Sequence, residues 1–550
     1  MSYIGADFVA DALASLGVEH VFAIVSIHNM PLLDAINRLG KTKIIDVRHE
    51  QAGTHAADGY ARATGKMGVM IASTGPGTSN TVTGLYESQF GSSRVLVITG
   101  QADTTFYGKG LSYVHEAEKQ IQMLSSVCRR VESPRHISQL ADSFQAVVSD
   151  MFTGRPQPGA IEIPIDLQYA NTKKVAIELP SDNIFEADPS VISRVADKIK
   201  EASKRIFVVG GGVISSEATQ ELCELAEQLD APVLTTVDGR GVLPEDHRLC
   251  MGNYYNSAGI YSAIQDADLT IAIGTKFAVG VDGQFHEQTP PGELIQIDID
   301  GNMIGRTHKA AIGVLSDAKS ALNQLKPLLS DLSQNDSQFN ESLFQAREGV
   351  QTAMRARLGK DWPQVMDIIR SKLPRDGLFV RDQTISAYNW GNQQFPIYLP
   401  RTSINPTSGA IGPGFPMSIG AAIATGKKTV VIHGDGGFMF HATELATAAQ
   451  YKVPVVVCVF NDSGYGVLRW LQDNRFGRIN ETDLGKIAFA KMARSMGVPA
   501  RRVASVEEFE EVLDLAMQEE GPYLIDIDMD QFDPMEISIM PKKKREVDLD

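Results

Sequence analysis

The stretch TVVIHGDGG at residues 429–437 decides the fold, together with PVVVCVFNDSG at residues 454–464. Each stretch is a continuous apolar run of strand length that ends in glycine and an acidic residue. A helical segment containing Glu444 and Leu445 lies between them. Apolar strands without polar alternation, separated by helices, indicate a parallel sheet that helices cover on both faces.

The same alternation of strands and helices fills two earlier blocks of the chain. Predicted strands there lie at residues 21–24, 44–47, 67–73, 95–99, 206–209, 269–273 and 294–297. Polar stretches at 170–189 and 330–355 separate the blocks, and the second is predicted to be a helical or flexible connector. We therefore predict an α/β protein of three doubly wound parallel-sheet domains, at 1–170, 188–335 and 360–535, with a tail at 536–550.

Composition and charge exclude several classes of protein. The 550 residues include 67 acidic and 51 basic ones, and the net charge of −16 is the opposite of what nucleic-acid binding needs. The four cysteines form no CxxC pair, so neither a disulfide framework nor a zinc site is predicted. No secretory leader and no membrane-length apolar run is evident. We expect a cytoplasmic enzyme without nucleic-acid or membrane partners.

The glycine-rich strand ends carry the residue types that a metal-bound diphosphate requires. Backbone amides at Gly434 and Gly436 can approach phosphate oxygens closely, since glycine has no side chain. Asp435 and Asp462 each follow a strand and offer the hard oxygen ligands that Mg²⁺ prefers. Taken alone, the GDG segment could also be an ordinary turn in which Asp435 caps a helix.

The spacing of these aspartates resembles the GDG…NN motif of the thiamine-diphosphate (ThDP) enzyme superfamily. In that motif the second metal ligand follows the first by 27 positions, as Asp462 follows Asp435 here. The resemblance implies ThDP and Mg²⁺ as cofactors, with Asp435, Asp462 and the carbonyl of Gly464 as metal ligands. Asp462 departs from the motif, which usually has Asn at this position, so an Asp462→Asn change is expected to be mild.

Three more segments resemble the same superfamily. Residues 48–62 resemble its RHE…GYAR segment, in which the glutamate, here Glu50, hydrogen-bonds the cofactor's pyrimidine ring and activates it. Gly75 and Gly77 match its GPG loop beside the active site, and Ile411 takes the place of the apolar residue that bends ThDP into a V shape. Singly, Glu50 could be a helix N-terminal acid and Ile411 an ordinary buried residue.

Two histidines are candidates for proton transfer to the substrate. His28 matches a position where benzaldehyde lyase-like and cyclohexanedione hydrolase-like members have a histidine near the reacting carbonyl. His115 matches a second segment that borders the pocket in relatives. The alternative for His28 is a loop histidine without a catalytic role.

Two other features leave alternatives open. The turn GGG at residues 210–212 could hold FAD or ADP, but a glycine-rich turn alone is weak evidence and we favour no bound nucleotide. Arg469 replaces the glutamine of a V-x-Q-W segment found in biosynthetic acetolactate synthases. It could pair with a substrate carboxylate or be a solvated helix residue. The basic tail PKKKR at 541–545 is either a solvated terminus or a segment that closes over CoA.

Overall, the chain resembles the acetolactate synthase-like branch, a group that includes pyruvate decarboxylase. The resemblance implies pyrimidine-binding, central and diphosphate-binding domains and a 2-oxoacid decarboxylase or carboligase. The alternatives are a 2-hydroxyacyl-CoA lyase or benzaldehyde lyase-type acyloin lyase, a flavin-dependent oxidase, and a catalytically silent subunit. Substrates would be 2-oxoacids, acyloins or acyl-CoA esters. The family plan also implies an obligate homodimer that pairs into a homotetramer, because Glu50 and Asp435 would reach one cofactor from different chains.

Overall fold

The computed structural model describes residues 2–180, 185–278, 288–330 and 332–535. Three six-stranded sheets follow one another along the chain, and every strand pairing within them is parallel. The predicted α/β class with three parallel sheets is confirmed. The domain boundaries and the role of the tail at 536–550 stay predictions, and the tail lies outside the described residues.

The first sheet has the strand order β2-β1-β3-β4-β6-β5. Its strands are β1 His20–Ala23, β2 Lys43–Asp46, β3 Gly68–Ala72, β4 Val95–Gln101, β5 Arg130–Glu132 and β6 Gly159–Pro164. Its helices are Gly5–Ser15, Met30–Leu39, Glu50–Thr64, Pro76–Gly91, Gln120–Ser125, Ile137–Gln139 (3₁₀), Leu140–Phe152 and Ile165–Tyr169. Every residue of β3, β4 and β6 is buried, as expected for strands covered on both faces.

The second sheet has the strand order β12-β11-β10-β7-β8-β9. Its strands are β7 Arg205–Val209, β8 Val233–Thr235, β9 Cys250–Gly252, β10 Leu269–Ile273, β11 Glu293–Asp298 and β12 Ile312–Leu315. The described helices here are Pro189–Glu201, Gly211–Ser215, Thr219–Leu229, Val237–Gly239 (3₁₀), Ala258–Ile264, Ala318–Leu325 and Lys326–Leu329 (3₁₀). The predicted connector contains the helix Ser337–Ala356, whose Phe339 and Leu343 pack in this domain's core.

The third sheet has the strand order β14-β13-β15-β16-β18-β17. Its strands are β13 Leu378–Arg381, β14 Ser403–Ile404, β15 Thr429–Gly434, β16 Val455–Asn461, β17 Ala500–Val503 and β18 Tyr523–Asp528. Its helices are Trp362–Lys372, Ala387–Gly391 (π), Gly414–Thr425, Asp435–Phe438, Glu444–Gln450, Gly466–Phe476, Phe489–Ser495, Val506–Gln518 and Met529–Gln531 (3₁₀).

Two helices that cross at glycines join the first domain to the third. A Cβ atom at Gly59 would lie 2.0 Å from the carbonyl oxygen of Met417, and one at Gly420 would lie 1.8 Å from that of Ala56. Glycine at both positions therefore allows the backbones of helices Glu50–Thr64 and Gly414–Thr425 to touch. Each helix begins at or beside a candidate site residue, so the crossing also helps to position the site.

A buried ion cluster ties the same two domains together. Arg62 pairs with Asp58 at 2.9 Å and with Glu87 at 2.8 Å, and all three side chains are largely buried. Glu87 also accepts hydrogen bonds from the backbone N–H groups of Thr407 and Ser408. The cluster thereby holds the segment that leads to Ile411. Among the described residues, no helix is both long and apolar enough to cross a bilayer.

Candidate active site

The predicted metal ligands follow two neighbouring strands of the third sheet, at the carboxyl ends of those strands. Strands β15 and β16 pair in parallel with Gly434 opposite Phe460, so the residues that follow them lie at the same carboxyl ends. Asp435 is only 4% exposed and lies within hydrogen-bonding reach of Asp462. Burial and the neighbouring Asp462 carboxylate raise the pKa of Asp435. Two carboxylates this close repel each other unless a proton or a cation lies between them.

This donor set fits a divalent cation. Among the described residues, the buried Oδ1 atom of Asp435 has no hydrogen-bond partner, and a hard cation would satisfy it. The backbone amide of Gly464 opposes the rise in pKa of both carboxylates, which places this loop beside the aspartate pair. Metal coordination through the Gly464 carbonyl stays a prediction.

Side chains are excluded at the predicted diphosphate-contacting glycines. A Cβ atom at Gly436 would lie 2.6 Å from the ring of Tyr465, and one at Gly434 would lie 3.0 Å from Oγ1 of Thr384. A side chain would clash at Gly436 and be tightly packed at Gly434, so glycine at both positions presents backbone alone, which is what close approach to a phosphate requires. Their contact with a diphosphate stays a prediction.

Glu50 stands at the first residue of its helix, facing the GPG loop. His49 caps the helix, since its Nδ1 atom accepts a hydrogen bond from the N–H of Gln51. Nδ2 of Asn80 donates to Oε2 of Glu50 at 2.9 Å. A Cβ atom at Gly77 would lie 3.1 Å from Oε1, so glycine lets the loop approach this carboxyl. The structure thus brings Glu50 and Gly77 together.

A buried polar network fixes the same loop at Gly75. The φ angle of Gly75 is 58°, and its N–H donates to Oε1 of Gln120 at 2.8 Å. Nε2 of Gln120 donates in turn to Oε2 of buried Glu162 at 2.8 Å. A Cβ atom at Gly75 would lie 2.5 Å from the carbonyl oxygen of His115. The loop and the His115 segment are therefore packed backbone to backbone.

His28 and His115 form a pair. Their ring centroids lie 5.5 Å apart, and the ring of Tyr113 lies 6.1 Å from that of His28. His28 is 1% exposed, whereas His115 is exposed in a loop with φ of 61°. Burial, and then the neighbouring His115, lowers the pKa of His28. A neutral imidazole at pH 7 can accept a proton, but the catalytic role of either histidine stays a prediction.

Ile411 lies in a turn that a buried aspartate holds. Asp382, at the end of β13, accepts hydrogen bonds from the N–H groups of Gly412 at 2.8 Å and Gly414 at 3.2 Å. Its Oδ2 atom also lies 2.6 Å from Nε2 of His433. Although burial opposes ionisation, His433 and the amide hydrogen bonds hold the pKa of Asp382 below its usual range. This anchor fixes the turn beside Ile411, which is half-buried.

The predicted site residues therefore form two groups. One lies in the first domain and contains Glu50, Gly75, Gly77, His28 and His115. The other lies in the third domain and contains Ile411, Gly434, Asp435, Gly436, Asp462 and Gly464. A hydrogen bond connects the two domains close to these groups: the N–H of Arg48 donates to Oε1 of Glu444 at 2.9 Å.

Comparison with known proteins gives matches over all three domains. The N-terminal TPP-binding, central and C-terminal TPP-binding domains of thiamine pyrophosphate enzymes match residues 4–125, 192–325 and 385–527. A protein of Methanocaldococcus jannaschii described as a probable acetolactate synthase large subunit is 33% identical over 548 residues, covering 96% of this chain and 92% of that protein.

The chain belongs to the thiamine pyrophosphate enzyme family.

Two other relatives of this thiamine pyrophosphate enzyme have similar names. The acetolactate synthase large subunit of Haemophilus influenzae is 29% identical and covers 97% of this chain and 96% of its own length. The acetolactate synthase of Arthrospira platensis is 30% identical, with 95% and 93% covered. The predicted ThDP-dependent, acetolactate synthase-like carboligase or decarboxylase is thus confirmed at that level, and the CoA-lyase and acyloin-lyase alternatives are not favoured.

The central turn of this thiamine pyrophosphate enzyme has a structural reason for its glycines. Cβ atoms at Gly210 and Gly212 would lie 2.4 Å and 2.5 Å from backbone atoms of Gly274. Close packing of two loops thus accounts for both glycines without a nucleotide.

The sequence interpretation did not identify several residues that support the candidate site. Asp382 carries no motif, and its role depends on Gly412, which lies 30 positions further along the chain. The only signal available was an acidic residue directly after an apolar strand. Asn80 and Gln120 are ordinary helix residues in the sequence, and only the folded chain brings them to Glu50 and Gly75.

Proposed function

We propose that this thiamine pyrophosphate enzyme uses ThDP and Mg²⁺ to decarboxylate a 2-oxoacid and join the remaining acyl unit to a second carbonyl compound, as an acetolactate synthase does. The observation that carries the proposal is the pair formed by buried Asp435 and partly buried Asp462 at the ends of β15 and β16. Bound ThDP would supply the electron sink for cleavage and formation of the carbon–carbon bond. The enzyme's own residues bind, orient and shield it.

Each group of site residues has a separate task in this proposal. Asp435, Asp462 and the Gly464 carbonyl would hold Mg²⁺, while Gly434 and Gly436 present backbone to the diphosphate. Glu50, held by Asn80, would hydrogen-bond the pyrimidine ring, and Ile411 would support the bent cofactor. Neutral His28 would accept or return a proton at the substrate oxygen, with His115 beside it.

We also propose that the active enzyme is a homodimer, which can pair into a homotetramer. Apolar side chains stay exposed on loops after β1 and β4, at Val25, Ile27, Phe106, Leu111 and Val114. Others stay exposed after β15 and β16, at Met439, Phe440, Leu468, Phe476, Ile479 and Leu484. Burying such surface favours association, and a second copy could cover both sets while completing each cofactor site.

A substrate screen tests the reaction. Purified enzyme is incubated with pyruvate, with other 2-oxoacids, with acyloins and with 2-hydroxyacyl-CoA esters, each with and without ThDP and Mg²⁺. We expect carbon dioxide release and acetolactate formation from pyruvate that depend on both cofactors. Turnover confined to acyloins or CoA esters would overturn the proposed reaction while leaving the family intact.

A further inference from the structure

Arg469 lies beside the proposed metal site and contacts two aspartates. It stands in the first turn of helix Gly466–Phe476, which begins shortly after Gly464. One guanidinium nitrogen lies 3.5 Å from Oδ2 of Asp462, and the other lies 2.8 Å from Oδ1 of Asp483. Asp462 is 16% exposed and Asp483 is 82% exposed. The pair with Asp462 is therefore less screened by water, so it matters more despite its longer distance.

The same guanidinium packs onto the loop that carries the predicted ligands. A Cβ atom at Gly464 would lie 2.2 Å from Nη2 of Arg469. Two backbone hydrogen bonds hold this loop against its neighbour: Tyr465 N–H to Thr482 O at 2.8 Å, and Leu484 N–H to Ser463 O at 3.1 Å. Arg469 is thus held against a bonded turn, between Asp462 and Asp483. It is neither a freely solvated helix residue nor one that points away from the protein.

The charges of Asp435, Asp462 and Arg469 add up to the value expected for an aspartate–asparagine ligand pair. Asp483 is left out of this sum because its side chain is 82% exposed and its charge is screened by water. Asp435 and Asp462 carry two negative charges when ionised, and Arg469 places one positive charge next to the second of them. The Asp462–Arg469 pair therefore has no net charge, like the neutral amide of an asparagine. Asp462 and Arg469 both depart from the family pattern, and the positive charge of the second thus offsets the negative charge of the first.

We propose that Arg469 is a positioning residue that pairs with Asp462, so that the two residues together replace the single asparagine of the metal-binding motif. The inference rests on the proposed function, because it assigns Asp462 to the Mg²⁺ site. Asp462→Asn alone leaves the guanidinium close to the metal, with only the exposed carboxylate of Asp483 as its partner. The expectation from sequence that this change is mild is therefore revised.

Calorimetric titration of the full-length apo protein with Mg²⁺ and ThDP tests the pair. D462N should weaken binding about fivefold, since a unit charge at about 4 Å interacts by about 1 kcal/mol even in water. D462N/R469Q removes the unbalanced cation and should return affinity to within about twofold of wild type. The matched control is D462N/R475Q, which removes a cation at the other end of the same helix and should restore nothing.

Hydrogen exchange of the metal-free protein provides an independent measurement. R469Q removes the positive charge beside the carboxylates of Asp435 and Asp462. Hydrogen exchange at the Tyr465 amide should therefore become at least about threefold faster. When the protein already carries D462N, the same change should alter exchange less than about twofold. A purely structural role of Arg469 on the loop would instead give equal effects with and without D462N, and that result would overturn the proposal.

The two proposals fail in different ways. If wild-type protein bound neither Mg²⁺ nor ThDP, the proposed function would be wrong, while the exchange experiment on metal-free protein would still decide whether residues 462 and 469 are coupled. If the wild type bound both but D462N bound equally well, or D462N/R469Q bound as weakly as D462N, the pairing would be wrong and the proposed function would stand.

Discussion

At the scale of single residues, the proposed site contains carboxyl groups whose surroundings differ. Glu50 is held by one amide hydrogen bond in the first domain, whereas Asp435 is buried beside a second carboxylate in the third. The first arrangement suits a group that acts on a ring, and the second suits a group that binds a cation. Changing the two residues should therefore have different consequences.

Glu50→Gln should keep ThDP affinity within about threefold of wild type but lower kcat at least about a hundredfold. The amide keeps the shape of the side chain and loses its ability to share a proton with the pyrimidine ring. Calorimetry and steady-state kinetics on the same preparation measure the two quantities. Wild-type turnover in this variant would show that Glu50 does not have the assigned role.

Asp435→Ala should abolish Mg²⁺-dependent ThDP binding, because the cation loses a charged ligand and the diphosphate loses its anchor. Calorimetry measures the loss, and circular dichroism checks that the fold is retained. Removal of a buried carboxylate that has a raised pKa should leave the metal-free protein no less stable than wild type. Unchanged ThDP affinity would rule out the metal assignment.

His55 should make stability depend on pH. Burial lowers its pKa from 6.5 to about 4, so between these values the unfolded chain binds a proton that the folded chain does not. Its contribution to stability is therefore complete above pH 6.5 and is lost as the pH falls towards about 4. Thermal unfolding at several pH values should show this decline, and His55→Gln should reduce its slope. His136→Gln, at an exposed histidine, is the matched control.

At the scale of helices and strands, the crossing of Glu50–Thr64 and Gly414–Thr425 is the contact that tolerates least change. Gly59→Ala would place a methyl group within 2.0 Å of a backbone carbonyl, so the helices must move apart. We expect a loss of about 1–3 kcal/mol in the free energy of unfolding. Urea denaturation measures it.

A matched control for this substitution exists on the connector helix Ser337–Ala356. A Cβ atom at the exposed Gly349 would meet no atom within 4 Å. Gly349→Ala should stabilise the protein slightly, by up to about 1 kcal/mol, because alanine has the higher helix propensity. Equal losses for Gly59→Ala and Gly349→Ala would contradict the close-packing argument.

The elements best predicted from sequence are those buried on both faces or strongly periodic. Strand Leu269–Ile273, which is buried along its whole length, agrees with the predicted range 269–273 to the residue. Strand Ala500–Val503 was not predicted, because it lies at the sheet edge and its two central residues are exposed arginines. An edge strand is not covered on both sides and so lacks the apolar run that marks a central one.

The residues of the candidate site also differ in how well the sequence predicted them. Motif spacing located Asp435 and Asp462 because both follow apolar strands that pair directly. Asp382, Gln120 and Arg469 act through partners that the fold brings together, and no local pattern marks such contacts. Sequence therefore indicated the residues proposed to touch the cofactor and missed most of those that hold them in place.

At the scale of the whole molecule, complementation decides whether the cofactor site spans two chains. Inactive Glu50→Gln and inactive Asp435→Ala proteins are mixed under conditions that allow subunit exchange. In a heterodimer one site would carry both defects and the other would be intact, so activity should approach half of the wild-type level per heterodimer. Mass spectrometry of the mixture verifies exchange. If the mixture stayed inactive despite exchange, Glu50 and Asp435 of the same chain would contact the same cofactor.

The crossing of the two helices at Gly59 and Gly420 decides how one mutant subunit affects a mixed dimer, if each catalytic centre is shared between chains. The two helices that cross in one subunit then serve different centres, since one carries Glu50 and the other follows the Ile411 turn. A methyl group at residue 59 of a single subunit would disturb both centres of the dimer. Such an allele should be dominant-negative: co-expressed with wild type, it would lower the activity of mixed dimers below half.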